Sequence, residues 1–173
     1  MPSSYQAPMR GDKNRKSTTS QSTGTNISLE STTVERILSQ KGDAVFSLVP
    51  DETLRTAVET LRDKRIGALL VVDSDGLLVG IISERDIVRK LAETPGKTLP
   101  QRVSDVMTRK VETCSPDDSL VDVLRRMTNG RFRHMPVMRG DTLVGMVTIG
   151  DVINYRLTEL EHEALQLKQL IVG

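Results

Sequence analysis

LLVGIISERDIV, residues 77–88, has a second version in TLVGMVTIGDVI at 142–153, and the reading of the whole chain turns on that pair. Both contain the order Gly, two apolar residues, hydroxyl, two variable residues, Asp: GIISERD at 80–86 and GMVTIGD at 145–151. Moving outward, SLVPDETL at 47–54 matches TCSPDDSL at 113–120, and RIGALLV at 65–71 matches RFRHMPV at 131–137. The offset is 66 residues in these two pairs and 65 in the first, so one residue is lost on the way. A hairpin turn absorbs such a loss without disturbing its strands. Self-similarity on this scale means one supersecondary unit used twice.

Each copy spells the same elements. Leu54, Ala57, Val58 and Leu61, like Leu120, Val123, Leu124 and Met127, stand at i, i+3, i+4 and i+7, which makes one apolar stripe on a helix. Each helix follows a Pro-Asp turn, and an acidic first turn is expected there, facing the positive end of the helix dipole. Next come an apolar run (Ala68 to Val72; Met135 to Met138), a turn holding Ser74-Asp75-Gly76 or Gly140-Asp141, and a second run (Leu77 to Ile82; Leu143 to Val147). That pattern predicts a β-hairpin. Ser83 and Thr148 then stand where a hydroxyl caps a following helix. The expected fold is α/β (α+β), with two units of strand, helix, strand, strand, helix packed sheet to sheet about a pseudo-twofold axis. The expected boundaries are a disordered basic tail at 1–30, repeats at 31–95 and 96–160, and an extended helix at 150–173.

The repeated motif suits a phosphorylated ribosyl ligand. Gly allows close approach to the backbone, a hydroxyl at a helix N-terminus receives phosphate, and a carboxylate three residues on holds both hydroxyls of a ribose. A plain helix cap explains either copy alone; two copies after the same hairpin favour a site. The halves differ where RIGAL becomes RFRHM, which brings Arg133 and His134 beside Arg131 in the second copy. These are phosphate-binding groups, so the second site is expected to hold charged phosphates more strongly than the first.

Taken together, the motifs and hairpins resemble a tandem pair of CBS domains, a Bateman module, over about residues 32–160. The resemblance implies a stand-alone regulatory or signal-transduction module, not an enzyme, that binds an adenosyl small molecule (AMP, ADP, ATP, NAD or S-adenosylmethionine) between the repeats. It implies that Asp86 and Asp151 hold ribose, that Ser83 and Thr148 lie near phosphate, and that Ile66, Gly67, Ala68, Phe132, Arg133, His134, Ser47 and Thr113 line the pockets. Arg85, Arg131, Met135 and Pro136 complete the expected set. A homodimer and an unidentified protein effector are the expected partners, and no catalytic residue, metal or catalytic cofactor is expected.

Composition narrows the rival classes. The 173 residues include one Cys, no Trp, two Tyr and two Phe, too few rings for the stacking platforms of single-stranded nucleic-acid binders. The expected mode for adenine is therefore aliphatic walls such as Ile66, Val71, Met135 and Val137, with Phe132 the ring near a cleft. Net charge is +1, but residues 1–29 carry Arg10, Lys13, Arg15 and Lys16 against Asp12, leaving 20 basic and 22 acidic groups in the remainder. Nucleic-acid binding through this tail and Arg131/Arg133 is the alternative function; the acidic body argues against it. A lone cysteine, Cys114, fits the cytoplasm, and no run approaches the roughly 18 apolar residues of a membrane span. For the tail, a mitochondrial transit peptide is the competing reading of a basic, hydroxyl-rich segment. Lastly, Ile153, Leu157, Leu160, Ala164, Leu167 and Ile171 follow at spacings of 4, 3, 4, 3 and 4, a heptad seam that wants a partner helix.

Overall fold

The computed structural model describes residues 32–42 and 44–172, so the tail at 1–30 lies outside the described residues. In chain order the elements are α1 (Val34–Lys41), β1 (Ser47–Leu48), α2 (Leu54–Lys64), β2 (Ala68–Val72), β3 (Leu78–Ser83), α3 (Glu84–Glu93), a 3-10 turn (Val103–Asp105), α4 (Leu120–Gly130), β4 (His134–Arg139), β5 (Thr142–Thr148) and α5 (Ile149–Val172). The stripes behave as their spacing requires: α2 buries Leu54, Ala57 and Leu61, and α4 buries Leu120, Val123 and Met127. Both helices begin later than the Pro-Asp turn, with Thr53 and Ser119 accepting the N–H groups of Thr56 (3.3 Å) and Asp122 (3.2 Å). The acidic first turn expected for α2 is therefore not formed. Asp51 and Glu52 precede its cap, and Asp51 pairs with Arg102 at 2.9 Å instead.

β1 runs parallel to β2, which pairs antiparallel with β3. In the second repeat β4 and β5 form the hairpin, and Cys114 makes a single parallel bridge to Val137 in the place of β1. Both hairpins carry an irregularity at the same position, between Val71 and Val72 and between Val137 and Met138. The missing residue falls in the turns. Asp73 folds the longer one by accepting the N–H groups of Asp75 and Leu77, with Gly76 at φ +80°, while Gly140-Asp141 closes the shorter one.

Two apolar cores result, and the chain crosses between them. The first holds Leu54, Leu61, Leu69, Val71 and Ile82 together with Val103 and Met107, which follow the first repeat in sequence. The second holds Leu120, Met127, Met135, Val137 and Val147 together with Val34 and Ile37 of α1, which precede the aligned segments that begin at Ser47. Val34 is fully buried and Ile37 nearly so. Each such burial stabilises by about 1.5–3 kcal/mol, so α1 belongs energetically to the second repeat.

Strand residues alternate between faces. Leu69 and Val71 point into the first core, whereas Ala68 and Leu70 are equally buried yet belong to neither core; Pro136 is the buried counterpart of Leu70. The second face of each hairpin is therefore covered by the other repeat, the arrangement expected for a sheet-to-sheet pair. Arg85 Nη1 donates to the Arg131 carbonyl across this junction at 2.9 Å, and the His134 ring rests against Gly67, only 3.2 Å from where a Cβ would stand.

Candidate functional site

The two motifs form the same local structure. Ser83 Oγ accepts the Asp86 N–H (3.4 Å), while Asp86 Oδ2 accepts the Ser83 N–H (3.0 Å) and its hydroxyl (2.6 Å). This is a capping box at the start of α3. Thr148 Oγ1 accepts the Asp151 N–H (3.1 Å), and Asp151 Oδ2 accepts the Thr148 N–H (2.8 Å) at the start of α5. In each case a half-buried hydroxyl and carboxylate are held at a helix N-terminus, where anions are favoured.

The hairpins bring some of the other expected site residues beside these caps. His134 pairs with Thr148 and Ala68 with Ser83 in the hairpin registers. Arg65 and Arg131 turn the chain from helix into strand with left-handed backbones, φ 55° and 57°, an arrangement that costs a non-glycine residue about 1 kcal/mol. Arg131 and Arg133 are exposed, and neither guanidinium has a partner among the described residues. His134 is half-buried, and burial holds its pKa below the usual imidazole value, with Lys41 and Arg133 acting in the same direction and Asp151 opposing. Thr113 is fixed through its carbonyl by Arg126, which also meets Glu112 and Asp118. Ser47 is exposed, and Ile66 is half-buried against the first core.

Several residues are placed differently from a pocket lining. Val71, Met135 and Val137 are fully buried in the cores, so their side chains are committed to packing. Ala68 and Pro136 are buried at the junction, and Phe132 packs against the second core. The motif glycines were expected to admit a ligand; instead Gly80 receives Met107, whose Sδ is 2.5 Å from an added Cβ, and Gly145 receives Leu38 at 2.7 Å. Cys114 is buried, which pushes its thiol up to about 12 and leaves no thiolate for attack.

One residue at the second site has no counterpart in the repeat alignment. Lys41, at the end of α1, donates to Asp151 Oδ2 at 2.7 Å and to the Met146 carbonyl at 3.3 Å. Asp86 has no ion-pair partner among the described residues. A cleft of about 240 Å³ opens beside Asp151, with Ile37, Gln40 and Lys41 on one wall and Asn154, Tyr155 and Thr158 on the other. Lys41 lies ahead of the aligned segments that begin at Ser47, and its one signal in the sequence is its spacing from Val34, Ile37 and Leu38 on a single helix face.

Among the described residues no helix is long and apolar enough to cross a membrane, and no group of three or more His, Cys, Asp and Glu side chains is placed to hold a metal ion.

Residues 32–93 and 103–158 each match the family described as CBS domain. The chain is 33% identical over 152 residues to a mitochondrial CBS domain-containing protein of Arabidopsis thaliana, covering 83% of this chain and 74% of that one. Among solved structures, a CBS-domain-containing protein of Agrobacterium tumefaciens is 39% identical, with a TM-score of 0.71 over 72% of this chain and 92% of that chain. The CBS domain pair of protein MJ0100, solved with 5′-methylthioadenosine and S-adenosyl-L-methionine, is 27% identical, with a TM-score of 0.65 over 74% and 98% of the two chains.

Proposed function

The chain belongs to the CBS-domain family, and we propose that it is a non-catalytic regulatory module that binds an adenine nucleotide or related adenosyl ligand at its paired motifs. The observation that carries this reading is the hydroxyl–carboxylate cap built twice, at Ser83/Asp86 and Thr148/Asp151, with the second carboxylate opening on a cleft. In this reading the carboxylates take the ribose hydroxyls. Arg131, Arg133 and the partly buried His134 make the second site the stronger one for phosphate. The adenosyl compounds bound by the MJ0100 pair support the ligand class. Ligand signals by binding one arrangement of the two repeats better than another, which changes affinity for a second copy or an effector protein. The reading places the folded part in the cytoplasm, although the Arabidopsis relative is named mitochondrial.

A thermal-shift panel of AMP, ADP, ATP, NAD, S-adenosylmethionine and adenosine tests it. At a hundredfold excess over the dissociation constant a specific ligand stabilises by about 2.7 kcal/mol. Asp151→Ala should abolish the larger part of that shift and Asp86→Ala the smaller. A panel in which no compound moves the wild-type transition sinks the reading.

A further inference from the structure

We propose that Lys41 makes the second site selective for anionic, phosphorylated adenosyl ligands over neutral ones. The inference rests on the reading of Asp151 as a ribose-binding group and adds the residue that sets ligand class. Lys41 Nζ lies 2.7 Å from the Asp151 oxygen that also accepts the Thr148 N–H. A ribose can engage this carboxylate fully only by weakening that ion pair. The side chains in the pair are 37% and 21% exposed and both line the cleft, so the released ammonium stays within reach of a ligand bound there. A neutral ligand leaves it unpaired. A ligand with a phosphate supplies a replacement anion, and charge-assisted bonds of this kind are the strong ones. Arg133, exposed and without a partner among the described residues, adds positive charge on the His134 side of the site.

The first site shows that this is a feature of α1 rather than of the fold. Met107 occupies at Gly80 the place that Leu38 occupies at Gly145. Lys110 stands three residues past Met107, as Lys41 stands three past Leu38, although the repeat alignment does not pair them. There the Thr108 N–H is bound to the Ile81 carbonyl, the chain bends at Arg109 and Lys110, and Lys110 is exposed without a partner among the described residues. Two helical turns place Lys41 on its carboxylate; a single 3-10 turn does not do so for Lys110.

The test is calorimetric titration of AMP and adenosine into the full chain carrying Asp86→Ala, which leaves the second site to report, with Lys41 intact, Lys41→Met or Lys41→Arg. The preference for AMP over adenosine should fall about tenfold in Lys41→Met and be retained in Lys41→Arg. Thermal melting confirms that each variant is folded. An unchanged preference in Lys41→Met overturns the proposal and leaves the ribose site standing. If neither ligand binds the protein with Lys41 intact, the reading of Asp151 fails and the proposal fails with it.

Discussion

At the scale of single residues, the caps and the glycines of one motif have separate explanations. Ser83 and Thr148 were legible as caps because a hydroxyl three residues ahead of an acid has one local structure that satisfies both. Gly80 and Gly145 were legible only as places needing space. What fills the space comes from 27 residues after the one, Met107, and 107 before the other, Leu38, and local pattern carries no information about such distant neighbours. The consequence is testable. Gly145→Ala puts a methyl group 2.7 Å from Leu38 Cδ2, so the Leu38 side chain must shift from its seat against β5. Overpacking of this kind costs about 1–3 kcal/mol. Urea unfolding should show the midpoint lowered with the slope unchanged, and Leu38→Ala in the same chain should recover part of the loss. A midpoint equal to wild type would mean that α1 is not seated against β5. Lys41 escaped the sequence reading for the same reason as Leu38: neither has a partner in the repeat, and a helix stripe does not name the core it joins.

At the scale of elements, existence and order were readable and membership was not. Periods of 3.6 and 2 define helices and strands within a window of a dozen residues, and every expected helix and hairpin of the two units is present. The crossing of α1 to the second core, and of Val103 and Met107 to the first, is a tertiary choice. It follows from geometry: each hairpin offers one face to its own helices and the other to the opposite repeat, so the remaining apolar edge is open to whichever segment the chain can bring. The Thr33–Ser119 and Thr53–Arg102 bridges tie both crossings at equivalent places. Compare, then, a chain beginning at residue 32 with one beginning at residue 42. The shorter chain loses Val34 and Ile37 from the second core only. In hydrogen exchange the amides of β4 and β5 should lose protection while those of β2 and β3 keep it, because local opening follows the contacts removed. Equal loss in both hairpins would show that the cores open as one unit, and no loss would count against the crossed packing.

At the scale of the whole molecule, the unsatisfied feature is α5. Its first turns pack on β5, α4 and α1, and Val152 is buried in the second core. Beyond that the heptad seam is largely uncovered among the described residues: Ile153 is 48% exposed, Leu157 53%, Leu167 60% and Ile171 83%. Among the described residues the helix does not fold back to bury this seam on its own repeat. Arg156 braces the middle by pairing with the half-buried Glu159 (3.4 Å) and with the exposed Glu163 (3.6 Å), but ion pairs along a single helix contribute only a few tenths of a kcal/mol. A helical extension of roughly four turns is marginal in water without tertiary packing. Burying the seam against the same helix of a second copy would supply that packing, and each leucine so covered contributes about 1.5–3 kcal/mol. The chain should therefore sediment as a dimer at micromolar concentration, and Leu157→Asp with Leu167→Asp should make it a monomer whose two repeats still melt cooperatively. Circular dichroism should then show a loss of helix confined to about the length of the extension. A wild-type monomer at that concentration would remove the dimer from the reading and leave α5 to an effector protein; a double variant that stays dimeric would move the interface to the exposed Val88 and Leu91 of α3.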